Sequence, residues 1–450
     1  MTLRFFGATM CAGLALVLVF SAGPAAAQAP AAVDPLAAEA PPPATAPAIP
    51  EVSDAIKLFQ QRDFNGALEQ LKKAVEKNPD LPPAQVIMAQ IFAQANVPAG
   101  VRRSLEQAVI AAPDDPEAYV LLGDWDLRQG GITEADLLLH KAEDLLAKFQ
   151  GSKKRREILE PRVQAGLAAV AEARGDWVAA QQRLDAWLKL EPKNANAMQR
   201  IARAMFQQKN ATGALDMLRK AKEADTNVLT PEARLAQFYE QYGDSTNAKK
   251  WMDLALKAAP QDLRTRLVVT QWAIETGRID EAQTHAAEAM RLDPDSLEAI
   301  ILRGVVALFK KDYKGAELYF ESAHLKSPGN FAAKNNLALA LCEQDDPAKK
   351  RKALEYAQDL VRQYQQSPEA ASTFGWVLYK NGQLDQADRV LDQVGRTGQF
   401  GADTAYFIAR VAVDKGRKEE AKRLLTAALG AKRPFSKEQD ARALLEQINK

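Results

Sequence analysis

The chain runs to 450 residues and sets 59 lysines and arginines against 58 aspartates and glutamates. That balance excludes a basic stripe for nucleic acid and a polybasic membrane patch as global features. Two cysteines, Cys11 and Cys342, exclude an internal disulfide framework once a leader carrying Cys11 is removed.

Residues 1–27 read as an export signal. Arg4 starts it, an apolar run follows from Phe5 to Phe20, Gly23-Pro24 breaks the helix, and Ala25-Ala26-Ala27 supplies small residues for cleavage. The apolar run is shorter than the ~20 residues of a membrane span. The mature protein is therefore expected to be exported to the periplasm or cell envelope, with no stable membrane insertion; a retained N-terminal anchor is the alternative. Residues 28–47 are rich in Ala and Pro with almost no charge, which predicts an extended spacer without a core.

Helical periodicity begins near Val52 and hardly stops. Pro79, Pro113, Pro192, Pro260, Pro294 and Pro328 punctuate it; Pro79 to Pro113, Pro260 to Pro294 and Pro294 to Pro328 are each 34 residues apart. Pro192 to Pro260 is twice that, with Thr226 at the midpoint. Ser296–Pro328 shows the unit most clearly, as two short amphipathic helices meeting at a tight turn. A fixed period of this length predicts stacked helical hairpins.

In this pattern the chain resembles the tetratricopeptide-repeat (TPR) family. Second-helix triplets of Ala, a bulky residue four later and a small residue three after that read Ala67/Leu71/Ala74, Val101/Leu105/Ala108, Ala135/Leu139/Ala142 and Ala180/Leu184/Trp187. They continue as Ala214/Leu218/Ala221, Ala248/Met252/Ala255, Ala282/Ala286/Ala289 and Ala316/Phe320/Ala323. The last are Ala353/Ala357/Leu360, Ala387/Leu391/Val394 and Ala421/Leu425/Ala428. Spacings of four and three put each triplet on one face. Gly123, Gly304 and Gly375 in the first helices allow close approach, and Gly175, Gly277 and Gly382 suit the left-handed turn residue.

The resemblance implies an all-α fold, an α-α superhelix (TPR solenoid) of about eleven repeats. Residues 48–149 hold units one to three, and residues 150–160 form a basic insertion with Lys153-Lys154-Arg155-Arg156, read as a solvated loop. Residues 161–435 hold units four to eleven, with a turn lengthened near Asp345-Asp346-Pro347. Residues 436–450 form a capping helix for the open apolar end.

No constellation for chemistry emerges. His140, His285 and His324 lie on second helices of separate units and are expected on helix surfaces, without ligand spacing for a metal. Phosphate loops, nucleophile elbows and HExxH are absent from the sequence. Neither catalysis nor a cofactor is expected, and Cys342 reads as a small core residue.

The resemblance implies a binding surface on the first helices, which line the concave side in that family and bind peptides or protein partners. Projected onto this chain, that side takes Arg200, Arg203, Arg234, Gln237 and Gln271 as a polar, locally basic stretch. Ile301, Val305 and Leu308 follow as an apolar patch, then Asn335, Trp376, Tyr379, Tyr406 and Arg410. Arginines and aromatics are typical binding anchors. The Lys and Asn placements of the family's carboxylate-clamp subclass are not reproduced across adjacent units. The expected function is a non-catalytic envelope scaffold for a protein or peptide partner, not for nucleic acid. The alternative is an accessory role in exopolysaccharide synthesis or export with polysaccharide as a partner, because Phe374–Tyr379 resembles C-terminal repeats of TPR proteins from such systems.

Overall fold

The computed structural model describes residues 49–398, 400–431 and 433–450. The leader, the spacer and Ala48 lie outside the described residues. Among those described there are twenty-three helices and no strand. They divide into two compact units, 49–253 and 254–450.

In the first unit, α1 (Pro50–Gln60) pairs with α2 (Phe64–Lys77), α3 (Ala84–Gln94) with α4 (Pro98–Ala111), and α5 (Pro116–Arg128) with α6 (Ile132–Lys148). Next come α7 (Lys153–Ala173) with α8 (Trp177–Leu190), and α9 (Ala195–Gln207) with α10 (Ala211–Ala224). α11 (Pro231–Gln241) precedes α12 (Ser245–Ala258), inside which the division between units falls.

In the second unit, α13 (Leu263–Glu275) pairs with α14 (Ile279–Leu292), α15 (Leu297–Phe309) with α16 (Tyr313–Lys326), and α17 (Phe331–Cys342) with α18 (Pro347–Gln363). The last hairpins are α19 (Pro368–Lys380) with α20 (Leu384–Thr397), and α21 (Ala402–Asp414) with α22 (Lys418–Gly430). α23 (Glu438–Asn449) packs on α22 and α21, at the end of the last hairpin.

The all-α repeat architecture is the expected one. Every member of the eleven triplets is buried except Val101 and Trp187, which are half-buried. Small residues there bring paired helices close enough for the bulky member to fill the gap. Leu139 is the tightest case. A Cβ added at Gly123 would sit 2.7 Å from its Cγ, and one at Gly166 of α7 would sit 2.9 Å from its Cδ1.

Five of the turns inside the hairpins share one device. A left-handed residue is followed by an Asp or Asn whose side chain accepts the N–H three residues on. The pairs are Arg62/Asp63, Gly175/Asp176, Lys209/Asn210, Gly243/Asp244 and Lys311/Asp312. Each cap satisfies one of the orphan N–H groups at a helix start. Arg62, Lys209 and Lys311 take this conformation despite carrying side chains, with φ of 65°, 64° and 57°, at a cost of about 1 kcal/mol each.

Residues 150–160 correct the reading of a solvated loop. α7 already begins at Lys153 and runs through Pro161. Lys153 and Lys154 are exposed, but Arg155 turns inward. Its Nη2 donates to Asp115 Oδ1 and Glu117 Oε2, both at 2.8 Å, and its Nε donates to the same Glu117 oxygen at 3.1 Å. The basic run thus anchors α7 to the start of α5. Cys342 is buried as expected, with its thiol pushed up by burial and its Sγ 3.3 Å from the Leu339 carbonyl oxygen.

Candidate binding face on the first helices

In the 49–253 unit the expected basic stretch is a set of anchored arginines. Arg200 on α9 reaches back to α7, with Nε and Nη2 donating to the two oxygens of Glu172 at 3.0 and 3.1 Å, and Nη2 donating to the Ala165 carbonyl at 3.1 Å. It also lies over the Trp187 ring, 5.7 Å from the centroid. Such a bidentate clamp holds α9 against α7. Arg234 donates to Gln237 Oε1 at 3.0 Å, and both are half-buried on α11. Arg203 differs: it sits over Trp177 at 5.7 Å, and its Nε is buried with no hydrogen-bond partner.

In the 254–450 unit, Gln271 donates to Glu275 of its own helix at 2.9 Å. The apolar patch expected at Ile301 and Val305 is not a surface. Both are 3 % exposed, and only Leu308 is half-buried. α15 packs against α14 and α16 and also touches α13 and α17, so a helix wheel with one covered side misjudges it. Asn335 is likewise buried, and its Oδ1 has no hydrogen-bond partner.

The aromatic residues do come together, as a packed cluster between α19 and α21 and not as an open platform. Trp376 is 3 % exposed. Its ring stacks on Tyr379 at 5.1 Å and on Phe407 at 4.5 Å, and meets Tyr406 edge-on at 5.7 Å. Arg410 Nε donates to the Tyr379 hydroxyl at 2.9 Å, and that hydroxyl donates to Asp414 Oδ2 at 2.7 Å. Tyr406 is buried too, and burial pushes its phenol well above the ordinary tyrosine range.

Beneath this cluster lies a buried charge centre that periodicity did not reveal. Glu343, just past α17, accepts from Trp376 Nε1 at 2.8 Å, from Lys380 Nζ at 2.9 Å and from Lys437 Nζ at 2.6 Å. Burial works to raise its carboxyl, but Lys437 and Lys380 outweigh it and hold the group below the ordinary glutamate value. Lys437 is itself buried, and its Nζ also donates to the Tyr313 hydroxyl at 3.1 Å. Three donors converging on one carboxylate leave no charge stranded.

Glu369, at the start of α19, has no comparable compensation, and burial alone pushes its carboxyl up to about 7. The folded value lies above the unfolded one of about 4.3. Its contribution is therefore full below the unfolded value and is lost as pH rises toward about 7. Glu369→Gln is expected to raise the melting temperature relative to wild type at pH 8 and to leave it nearly unchanged at pH 4.5. An equal shift at both values, read by calorimetry, would show that this carboxyl titrates normally.

His140 is exposed, His285 is half-buried and meets Arg266, and half-buried His324 packs edge-on to Tyr356. Among the described residues no group of three or more His, Cys, Asp or Glu is placed to hold a metal ion. No helix among them is long and apolar enough to cross a membrane.

Comparison with known proteins bears on this geometry directly. Models described as tetratricopeptide repeat match residues 58–125, 171–233, 233–262 and 273–330. The chain is 26 % identical over 263 residues to the cellulose synthase operon protein C of Xanthomonas axonopodis pv. citri, covering 49 % of this chain. It spans only 17 % of that curated relative. Among solved structures, yeast Tom70 aligns at 14 % identity with a TM-score of 0.36, covering 89 % of this chain and 95 % of that one. The APC/C hetero-tetramer Cut9-Hcn1 aligns at 12 % identity with a TM-score of 0.42, covering 88 % and 95 %. With its triplets buried in paired helices and these family matches falling between residues 58 and 330, the chain is a tetratricopeptide-repeat protein.

Proposed function

We propose that this protein is a non-catalytic scaffold of the bacterial cell envelope, binding a protein or peptide partner along its first helices. Tetratricopeptide repeats are interaction modules, and the fold leaves second helices as framework while first helices differ from unit to unit. Residues 1–27, read as a leader, and the Ala/Pro spacer support placement in the envelope. The observation that carries the binding face is Arg203, whose buried Nε lacks a hydrogen-bond partner beside the Trp177 ring. An unsatisfied guanidinium donor costs free energy that an incoming carbonyl or carboxylate recovers.

The test is crosslinking capture from a native envelope extract by wild type, Arg203→Gln and Arg410→Gln. The expected result is a specific partner whose capture falls about tenfold in at least one variant, equivalent to roughly 1.4 kcal/mol. Equal capture by all three proteins would remove the first helices as the binding face.

A second reading is an accessory role in exopolysaccharide synthesis or export, contacting glycan or the secretion machinery. The relative named for a cellulose synthase operon favours it, as does the Phe374–Tyr379 stretch. Trp376 is too buried to stack on a sugar ring without rearrangement, so a glycan would have to use other residues. Retention on an acidic polysaccharide column, compared with a neutral resin, separates this reading from the first.

A further inference from the structure

We propose that the segment Pro434–Asp440, a turn leading into the first turn of α23, is a displaceable strap, occupying a peptide site on the 254–450 unit that accepts a turn-forming segment with an aromatic residue two positions before a lysine. This rests on the reading of the protein as a binding scaffold and names the chemistry of one partner.

The contacts are those of a bound peptide rather than of a helix cap alone. Residues 433–435 carry no helix. Asp403 of α21 reads the backbone and one side chain, its oxygens accepting from Lys437 N at 2.9 Å, Ser436 N at 3.3 Å and Ser436 Oγ at 2.8 Å. Phe435 is 3 % exposed, its ring withdrawn from water. Two residues on, the Lys437 side chain runs to Glu343 and Tyr313, more than a hundred positions back from Lys437 in the case of Tyr313. Lys311 Nζ closes the far end on Asp440 Oδ1 at 2.7 Å. The strap and the first turn of α23 thereby reach the α15–α16 turn, α16 and the end of α17, beyond α22 and α21, on which α23 chiefly packs.

Of the receiving side chains, Glu343 takes the Lys437 ammonium, Asp403 takes backbone N–H groups and the Ser436 hydroxyl, and Lys311 takes the Asp440 carboxylate. The competing ligand therefore carries an aromatic residue, a lysine two positions on and an acidic residue three after that. The segment leading to the strap is exposed at Gly430, Ala431 and Arg433, so the strap is entered from solvent, and its release gives up the burial of Phe435 and Lys437. Cutting the strap at Lys437 also leaves Glu343 satisfied, since Trp376 Nε1 and Lys380 Nζ remain on it.

The test uses a fluorescein-labelled peptide of this chain's own residues 433–441, RPFSKEQDA, added to the full chain. Lys437→Ala is expected to bind it at least tenfold more tightly than wild type, with faster amide exchange across residues 433–449. Lys437→Arg should behave like wild type. A peptide with its Phe and Lys both changed to Ala should not bind. Lys311→Ala, which loses only the Asp440 pair, should give a smaller gain and serves if Lys437→Ala loses its cooperative melt. Faster exchange without a gain in binding, or no change in exchange, overturns the proposal. A failed peptide with successful partner capture from the envelope extract would remove the strap and leave the scaffold standing.

Discussion

Arg155→Ala is expected to destabilise the 49–253 unit by about 3–5 kcal/mol, the range for breaking a buried ion pair by removing one partner. Arg155, Asp115 and Glu117 are 10 %, 14 % and 13 % exposed in their side chains. Losing the guanidinium strands two carboxylates with little water to take its place. Burial already pushes the Glu117 carboxyl above the ordinary glutamate value, against the pull of Arg155, so its environment is poor at solvating charge. Asp115 also caps α5 by accepting the Glu117 N–H at 3.0 Å, and packing of the guanidinium over Phe149 at 5.3 Å is lost as well. Lys154→Ala, one residue away and exposed, should change stability by less than about 0.5 kcal/mol. Stacked repeats need not unfold as one transition, so the measurement is amide exchange resolved to α5, α6 and α7. A loss under about 1 kcal/mol in those helices would mean that water already screens the triad.

That prediction starts from a run the sequence presents as a loop, which shows where periodic reading stops. The triplets were legible because each bulky or small residue answers to its own hairpin, at fixed spacings of three and four. Arg155 answers to Asp115 and Glu117 in a neighbouring hairpin, and the basic run Lys153–Arg156 carries no local sign of that pairing. Glu343 and Lys437 lie 94 positions apart by their numbering and meet only because the C-terminal segment turns back. The binding face suffered in the same way. Projecting first helices from one wheel assumes a single covered side, while α15 and α19 are flanked by their own partners and by first helices on both sides. Ile301, Val305 and Trp376 are therefore core. The turns were half legible: Gly175, Gly277 and Gly382 do have positive φ, but Lys209 and Lys311 adopt it without announcing it.

Phe320→Ala should cost the 254–450 unit about 3–5 kcal/mol, as a fully buried aromatic cut to a methyl group leaves a cavity. Phe320 is 0 % exposed, and the reason it fits is Gly304. A Cβ at Gly304 would lie 2.6 Å from both Cε1 and Cζ of the ring, so Gly304→Ala overpacks the hairpin by about 1–3 kcal/mol, partly offset by the better helix propensity of alanine. The two positions are 16 residues apart, and the same spacing links Ala55 to Leu71, Ala89 to Leu105, Ala168 to Leu184, Ala202 to Leu218 and Ala409 to Leu425. In the seventh hairpin the sizes invert, with Thr270 opposite Ala286, both fully buried. Within the eighth hairpin the glycine and the ring answer to each other's size. Gly304→Ala with Phe320→Leu converts the eighth hairpin to the Ala/Leu combination of the first, second, fourth, fifth and eleventh. The double variant should therefore recover about 1–2 kcal/mol relative to the sum of the single losses. Additive losses in a denaturant-melt cycle would mean that the glycine answers to the flanking helices rather than to the ring.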